Sequence, residues 1–357
     1  MKIACIGYMH GAGGAEKQIV MLSNELHKRG HKVHFVTIAE NKIEYPLDRD
    51  IKIYDLSYAE KKPLHRYISR YLALKKVLKE IKPDVTINYW FQSSYLCVAL
   101  GKRITGKVIY SERGNPADDE YSGIVSKARK YAFNKIDGFV FQSTPARDYF
   151  GDILKSRSII IPNSVDIPDG KFLEPSVNRE KRIVSVGRLH PQKNQKILIE
   201  AFNIIKDEIK DYILEIYGEG PLREELQYYI DKNNLDNRVF LRGTTNDVFD
   251  KIYNSSLFVL SSDYEGMPNA LLEALAIGVP SISTDYSPGG VTDLIEDGTN
   301  GFITPRDDAN SLAKKMLEII NNNELSEKFA NNSIEKRKTH SSKTIFDNWE
   351  RFIRELK

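Results

Sequence analysis

EGMPNALLEAL, Glu265 to Leu275, holds two acids, Glu265 and Glu273, with seven residues between them. Pro268 suits the first turn of a helix, because that turn has no use for the N–H that proline lacks. The spacing predicts a helix over Asn269 to Ile277, stopped by Gly278 and Pro280. Glu265 then sits on the entering loop, and Glu273 lies more than one turn inside. The backbone amides of Gly266 to Asn269 and the positive end of the helix dipole mark the same place as an anion site. Two carboxylates beside an anion site make sense if they grip sugar hydroxyls while the amides hold a phosphate. An isolated pair of acids at this spacing is more often a solvated loop glutamate and an ordinary helix glutamate. The glycine, the proline and the apolar run that follows make this string more specific.

Outward from it, strand and helix signals alternate along the whole chain. Strand-like runs occur at Lys2–Tyr8, Lys32–Ile38, Asp84–Asn88, Lys107–Tyr110, Asp137–Gln142 and Ser158–Ile161, with a helix over Ala15–Arg29 ended by Gly30. The pattern pauses at Ile167–Lys181 (IPDGKFLEPSVNREK), which reads as a linker. It restarts with strands at Arg182–Val186, Tyr212–Tyr217, Val239–Arg242, Leu257–Ser261 and Ser281–Thr284, and with a helix over Gln195–Lys206 that Asn194 would cap. This is the grammar of α/β architecture, with two doubly wound, Rossmann-like parallel-sheet domains. The expected division is residues 1–166 for the first domain, 167–181 for the linker and 182–342 for the second domain.

Composition narrows the class. With 357 residues, 41% hydrophobic and 28% charged, the chain has room for two globular domains. Its longest apolar runs are strand-sized, and the N-terminal MKIACIGYMHGAGG is too glycine-rich for a signal peptide. The two cysteines, Cys5 and Cys97, lie in apolar stretches and read as buried thiols. A cytoplasmic location is the default. A net charge of +3 gives no argument for nucleic acid. Lys61–Lys82, however, is dense in lysine and arginine with aromatic and aliphatic residues between them. It suits either an anionic membrane surface or an ordinary helix with its charges in water.

Each candidate motif follows a strand, where open α/β sheets bind ligands. Gly13 and Gly14 belong to a glycine loop after the first strand. Its final position is Glu16 and not glycine, which counts against a dinucleotide. Arg188 and Lys193 bracket a turn before a helix, an arrangement suited to a diphosphate. Gly218, Arg242 and Gly243 also follow strands. Asp48-Arg49-Asp50 has the form of a metal-binding D-x-D but precedes a strand, and the histidines lack metal-ligand spacing, so no metal is expected.

EGMPNALLEAL with AIGVPSIST resembles the E-x7-E region of retaining glycosyltransferases of family 4, which have the two-domain GT-B fold. GAGGAEKQIVMLSNELHKRGHKV, IIIPNSVD, RIVSVGRLHPQKNQKILIEAF and DGTNGFITPRDDANSLAKKM resemble the same family in order, so the likeness spans nearly the whole chain. It implies two domains facing a cleft and a last helix, 343–357, crossing back to the first domain. It implies a UDP-hexose or UDP-N-acetylhexosamine donor, with no metal and no other cofactor. Glu265, Arg188 and Lys193 would be the catalytic set. Gly13, Gly14, Gly218, Arg242, Gly243, Gly266, Met267, Pro268, Asn269 and Glu273 would bind the donor, with Glu273 on the ribose and Glu265 on the transferred sugar. Where many members carry a histidine, this chain has Ser111-Glu112-Arg113-Gly114-Asn115-Pro116, similar to a subset that builds extracellular polysaccharides. Glu112, Arg113 and Asn163 would then line the donor–acceptor junction, or Glu112 and Arg113 are a salt-bridged pair shaping the loop. The implied acceptor is a glycan, lipid-linked in the polysaccharide reading, met by a peripheral enzyme on the inner membrane face. A UDP-sugar epimerase of the same fold and a non-catalytic nucleotide-sugar-binding subunit are the alternatives.

Overall fold

The computed structural model of the chain describes residues 1–11, 13–57, 66–116, 129, 131–168, 172, 174–175 and 179–356. Seven strands form the first sheet: β1 (Lys2–Met9), β2 (Lys32–Asn41), β3 (Lys52–Asp55), β4 (Val85–Asn88), β5 (Lys107–Ser111), β6 (Gly138–Phe141) and β7 (Ser158–Ile160). Their spatial order is β3-β2-β1-β4-β5-β6-β7. Six form the second: β8 (Glu180–Val186), β9 (Ile213–Tyr217), β10 (Val239–Gly243), β11 (Ser255–Leu260), β12 (Ser281–Thr284) and β13 (Phe302–Thr304), in the order β10-β9-β8-β11-β12-β13. Every pairing within each sheet is parallel. In each sheet the order in which successive strands are added reverses once, between β1 and β4 in the first and between β8 and β11 in the second.

Alternation along the strands explains why both faces of each sheet are covered. Ala4 and Ile6 enter one buried cluster, and Ile3 and Cys5 enter the other, on the opposite face. In the second sheet Ile183 faces one cluster and Val184 the other. Two compact units result, Met1–Ser164 with Lys343–Lys357, and Val165–Ser342. Residues of the stretch 167–181, read above as a linker, belong to the second unit. Phe172 is buried there, and Arg179 donates to the carbonyls of Ser255 (3.1 Å) and Gly278 (2.7 Å).

The C-terminal helix Ser342–Glu355 completes the first unit. Trp349 stacks on Tyr89 with ring centroids 6.2 Å apart. Glu350 bonds Arg29 (3.1 Å) and His31 (3.2 Å), close to the start of β2. Gly138 is the notch that admits this helix. A Cβ there would lie 2.8 Å from Phe352 Cζ, so even alanine would push the helix outward.

Candidate active site

The second unit gathers the predicted residues at the carboxyl edge of its sheet, around the point where strand order reverses. Such points are where open α/β sheets bind ligands. The backbone there is stitched tightly. Gly187, after β8, donates to Tyr217 O (2.9 Å), and Gly218, after β9, donates to Gly243 O (2.8 Å). Gly218 has φ +149°, and a Cβ on it would stand 1.9 Å from Gly187 O. Only glycine fits there.

Lys193 and Glu265, one after β8 and the other after β11, form an ion pair across the reversal point. The same carboxylate oxygen, Oε1, accepts from Ser262 Oγ (2.6 Å), and Oε2 accepts from Gln192 Nε2 (3.4 Å). Gln192 Nε2 also donates to Tyr264 O at 2.9 Å, which locks the two loops together. Glu265 is 6% exposed. Its backbone N–H donates to Ser287 O (2.9 Å), fixing the entry to the next helix. That helix is Asn269–Ala276, with Pro268 just outside it as N-cap. Its first ladder bond runs from Leu272 N to Pro268 O at 3.2 Å. Glu273 lies buried in its second turn. Met267 is buried in the same apolar cluster as Leu260, Leu271 and Tyr286, so its side chain is core.

Arg188 is exposed on the loop after β8. Its carbonyl accepts from Gln195 Nε2 at 2.7 Å, so the buried Gln195 pins that loop from below. Asn194 stands at the N-cap position expected of it, but not in the usual way. Its backbone is left-handed, with φ 42°, and its side chain makes no cap bond. The amide instead bridges Asp263 (2.9 Å) and Asp307 (3.2 Å). Burial raises the Asp263 carboxyl above its ordinary value, and the Asn194 bond opposes this. Arg242 lies at the carboxyl end of β10. Its guanidinium is held by Glu215 (2.7 and 2.8 Å), which Arg182 grips as well (2.7 Å). Burial pushes the Glu215 carboxyl up, but the bonds from both arginines outweigh it and hold the group below its ordinary value. At the end of β10 it is Gly243, with φ +76°, that stands at the sheet edge.

In the first unit Gly13 caps the helix Gly14–Lys28. The salt bridge that Glu112 makes is with Arg129, where the sequence reading had offered Arg113. Glu112 accepts from Arg129 and from Tyr110 Oη, both at 2.7 Å, and is buried. Arg113 turns elsewhere. It donates to Asn163 Oδ1 (2.9 Å), lies 4.4 Å from the Tyr89 ring centroid, and is lowered in pKa by burial. Asn163 also accepts from Gln142 (2.7 Å). Among the described residues, one group of side chains has metal-ligand character: His27, Asp48 and Asp50, whose ligand atoms lie within 4.8 Å of one another. Asp48 and Asp50 precede β3 and so lie at the amino end of that strand.

Sequence reading missed Gln192, Ser262 and Gln195. The visible signals were slight: two glutamines in GRLHPQKNQ and a serine pair before Asp263.

Comparison with known proteins agrees along the chain. The family Glycosyltransferase Family 4 matches residues 12–168, and Glycosyl transferases group 1 matches residues 168–336. A Campylobacter jejuni protein is 28% identical over 362 residues, covering 100% of this chain and 99% of its own. It is named GalNAc-alpha-(1->4)-GalNAc-alpha-(1->3)-diNAcBac-PP-undecaprenol alpha-1,4-N-acetyl-D-galactosaminyltransferase. The Escherichia coli UDP-Gal:alpha-D-GlcNAc-diphosphoundecaprenol alpha-1,3-galactosyltransferase is 34% identical over 176 residues, 45% of this chain and 44% of its own. The crystal structure of Anabaena HepE in complex with UDP and glucose superposes with TM-score 0.85 at 18% identity, covering 100% of both chains, a likeness of fold.

Proposed function

This chain belongs to glycosyltransferase family 4 and has the GT-B fold, and from that premise we propose that it moves a hexose or N-acetylhexosamine from a UDP-sugar, with retention, onto a lipid-linked glycan in surface-polysaccharide assembly. The observation that carries this reading is the Lys193–Glu265 pair at the strand-order reversal, beside the start of the helix Asn269–Ala276. In the reaction the bond from the sugar's anomeric carbon to the diphosphate breaks, and an acceptor hydroxyl attacks the same face. Negative charge gathers on the departing diphosphate, where Lys193, Arg188 and the helix start supply fixed positive potential. Glu265 receives hydroxyls of the transferred sugar, and Glu273 receives those of the ribose. Both relatives are named for alpha products on undecaprenyl-diphosphate acceptors, and one is named for UDP-Gal. UDP-hexoses are alpha-linked, so an alpha product is retention.

The deciding experiment is UDP release from a panel of UDP-hexoses and UDP-N-acetylhexosamines with an undecaprenyl-diphosphate-linked disaccharide. Release that depends on the acceptor is expected, and its rate should be unchanged by EDTA, because the diphosphate is neutralised by protein cations. An epimerase would give no acceptor-dependent UDP. Activity abolished by EDTA and restored by manganese would point back to a bridging ion.

A membrane-bound acceptor requires approach to a lipid surface. The helix Arg66–Ile81 buries Leu74, Val77, Leu78 and Ile81, while Tyr67, Ile68 and Leu72 are 55–65% exposed and Lys76 and Lys79 lie exposed further along. Residues 61–65 of the same basic stretch lie outside the described residues. This surface suits an anionic bilayer, with apolar groups in the interface and lysines at the headgroups. Co-sedimentation with phosphatidylglycerol vesicles should exceed that with phosphatidylcholine and fall with salt. Equal, salt-insensitive partition onto both would remove the electrostatic contact from the account.

A further inference from the structure

Lys193 and Glu265 are each given a separate task in the reaction above, yet in the structure they are spent on each other. Glu265 Oε1 takes the Lys193 ammonium and the Ser262 hydroxyl together, and Gln192 reaches Oε2. The Lys193 side chain is 16% exposed and that of Glu265 is 8% exposed, so water screens the pair only partly. A lysine neutralised in this way presents little net charge to an arriving anion. The carboxylate oxygen Oε1, with an ammonium and a hydroxyl already on it, has both of its lone pairs engaged and is closed to a sugar hydroxyl. Neither can do its task until the pair opens.

We propose that this ion pair is an exchange latch: the donor's diphosphate takes Lys193 from Glu265, and the released Oε1 then accepts a hydroxyl of the sugar to be transferred. The inference rests on the reading of Lys193 as a diphosphate ligand and deepens it. Ser262 and Gln192 are the positioning residues, because their bonds keep the carboxylate in place while the lysine leaves. No covalent bond changes in the step; one ion pair is exchanged for another. The latch gives the site a preference that neither residue has alone. A free sugar brings no anion to draw Lys193 away, so it meets an occupied carboxylate. UDP opens the latch but brings no sugar hydroxyl to Glu265, so part of its binding free energy goes into breaking the pair.

Calorimetry with UDP on four proteins tests this: the native chain, Glu265→Gln, Lys193→Met and the double variant. Glu265→Gln removes the competitor for Lys193 and should tighten UDP roughly three- to tenfold, the range of a partly buried ion pair. In the Lys193→Met background the same glutamine should change UDP affinity by less than about twofold, because there is no lysine to release. Uridine, which carries no phosphate, should bind all four alike. Glu265→Ala serves as a second variant with the same expected direction, and thermal unfolding verifies that each protein is folded. UDP affinity unchanged or weakened by Glu265→Gln, with Lys193→Met still weakening UDP, overturns the latch while leaving the diphosphate reading standing. UDP binding unaffected by Lys193→Met removes the diphosphate reading, and the latch with it.

Discussion

Lys193→Ala is expected to lower kcat roughly a hundred- to a thousandfold, the usual loss when one preorganised donor to a developing anion is removed. The geometry is the reason for so large an effect from one residue. Lys193 stands at the end of the turn Pro191–Lys193, and its own carbonyl accepts from Ser261 Oγ (2.9 Å), so its backbone is tied to the loop after β11. Its backbone is thus held at the reversal point, so only the side chain has to move when the diphosphate draws the ammonium from Glu265. Lys193→Arg should recover only part of the loss, because a planar fork cannot occupy the place of a compact ammonium held against Glu265. Steady-state UDP release with the lipid-linked acceptor provides the measurement, with thermal unfolding as the control for folding. A fall in kcat of less than about fivefold would move the leaving-group role to Arg188 and the helix start.

Glu112→Ala is expected to destabilise the first unit by roughly 3–5 kcal/mol, the cost of breaking a buried pair from one side. Glu112 and Arg129 are 4% and 5% exposed. Arg129 lies over Phe150 at 4.7 Å and Phe133 at 5.4 Å, and donates to Pro116 O at 2.9 Å. Without the carboxylate, a guanidinium is left among aromatic rings with far less compensation for its lost hydration. Glu112→Gln keeps an acceptor for Tyr110 Oη and Arg129 and should lose less. Denaturant unfolding should show the transition of one unit shifting while the other stays in place, since the two units have separate cores. UDP affinity should be preserved, because the proposed nucleotide site lies on the second unit. A variant of native stability that binds UDP poorly would instead restore Glu112 to the donor junction.

The parts of the fold that could be read from the chain were those whose signal is local. Buried parallel strands are apolar runs with helices between them, and β1, β4, β5, β8 and β11 announce themselves in this way. β3 and β13 do not. KIYD at Lys52–Asp55 is a partly exposed edge strand with charged ends, and FIT at Phe302–Thr304 has three residues, too few to show a period. At the site, the string from Glu265 to Glu273 was legible because its helix start lies within it. The pairing of Glu265 with Lys193 was not, since 72 residues separate them and only the sheet order brings them together. Asn194 shows the limit from the other side. Asparagine before a helix favours a cap, but it is also the residue that tolerates left-handed backbone, and here the bridge to Asp263 and Asp307 prevailed.

The notch at Gly138 and the ring face of Tyr89 are filled by residues from the far end of the chain, and translation runs in one direction. When Ser164 leaves the ribosome, the amino-terminal sheet has all its strands but lacks Trp349 and Phe352, which cover one of its faces. Val165–Ser342 must be synthesised before those residues exist. At about 5–20 residues per second this takes roughly 10–35 s. The unit that is made first is therefore the last to be finished, and its apolar groove stays open to solvent and to chaperones while its neighbour is being built.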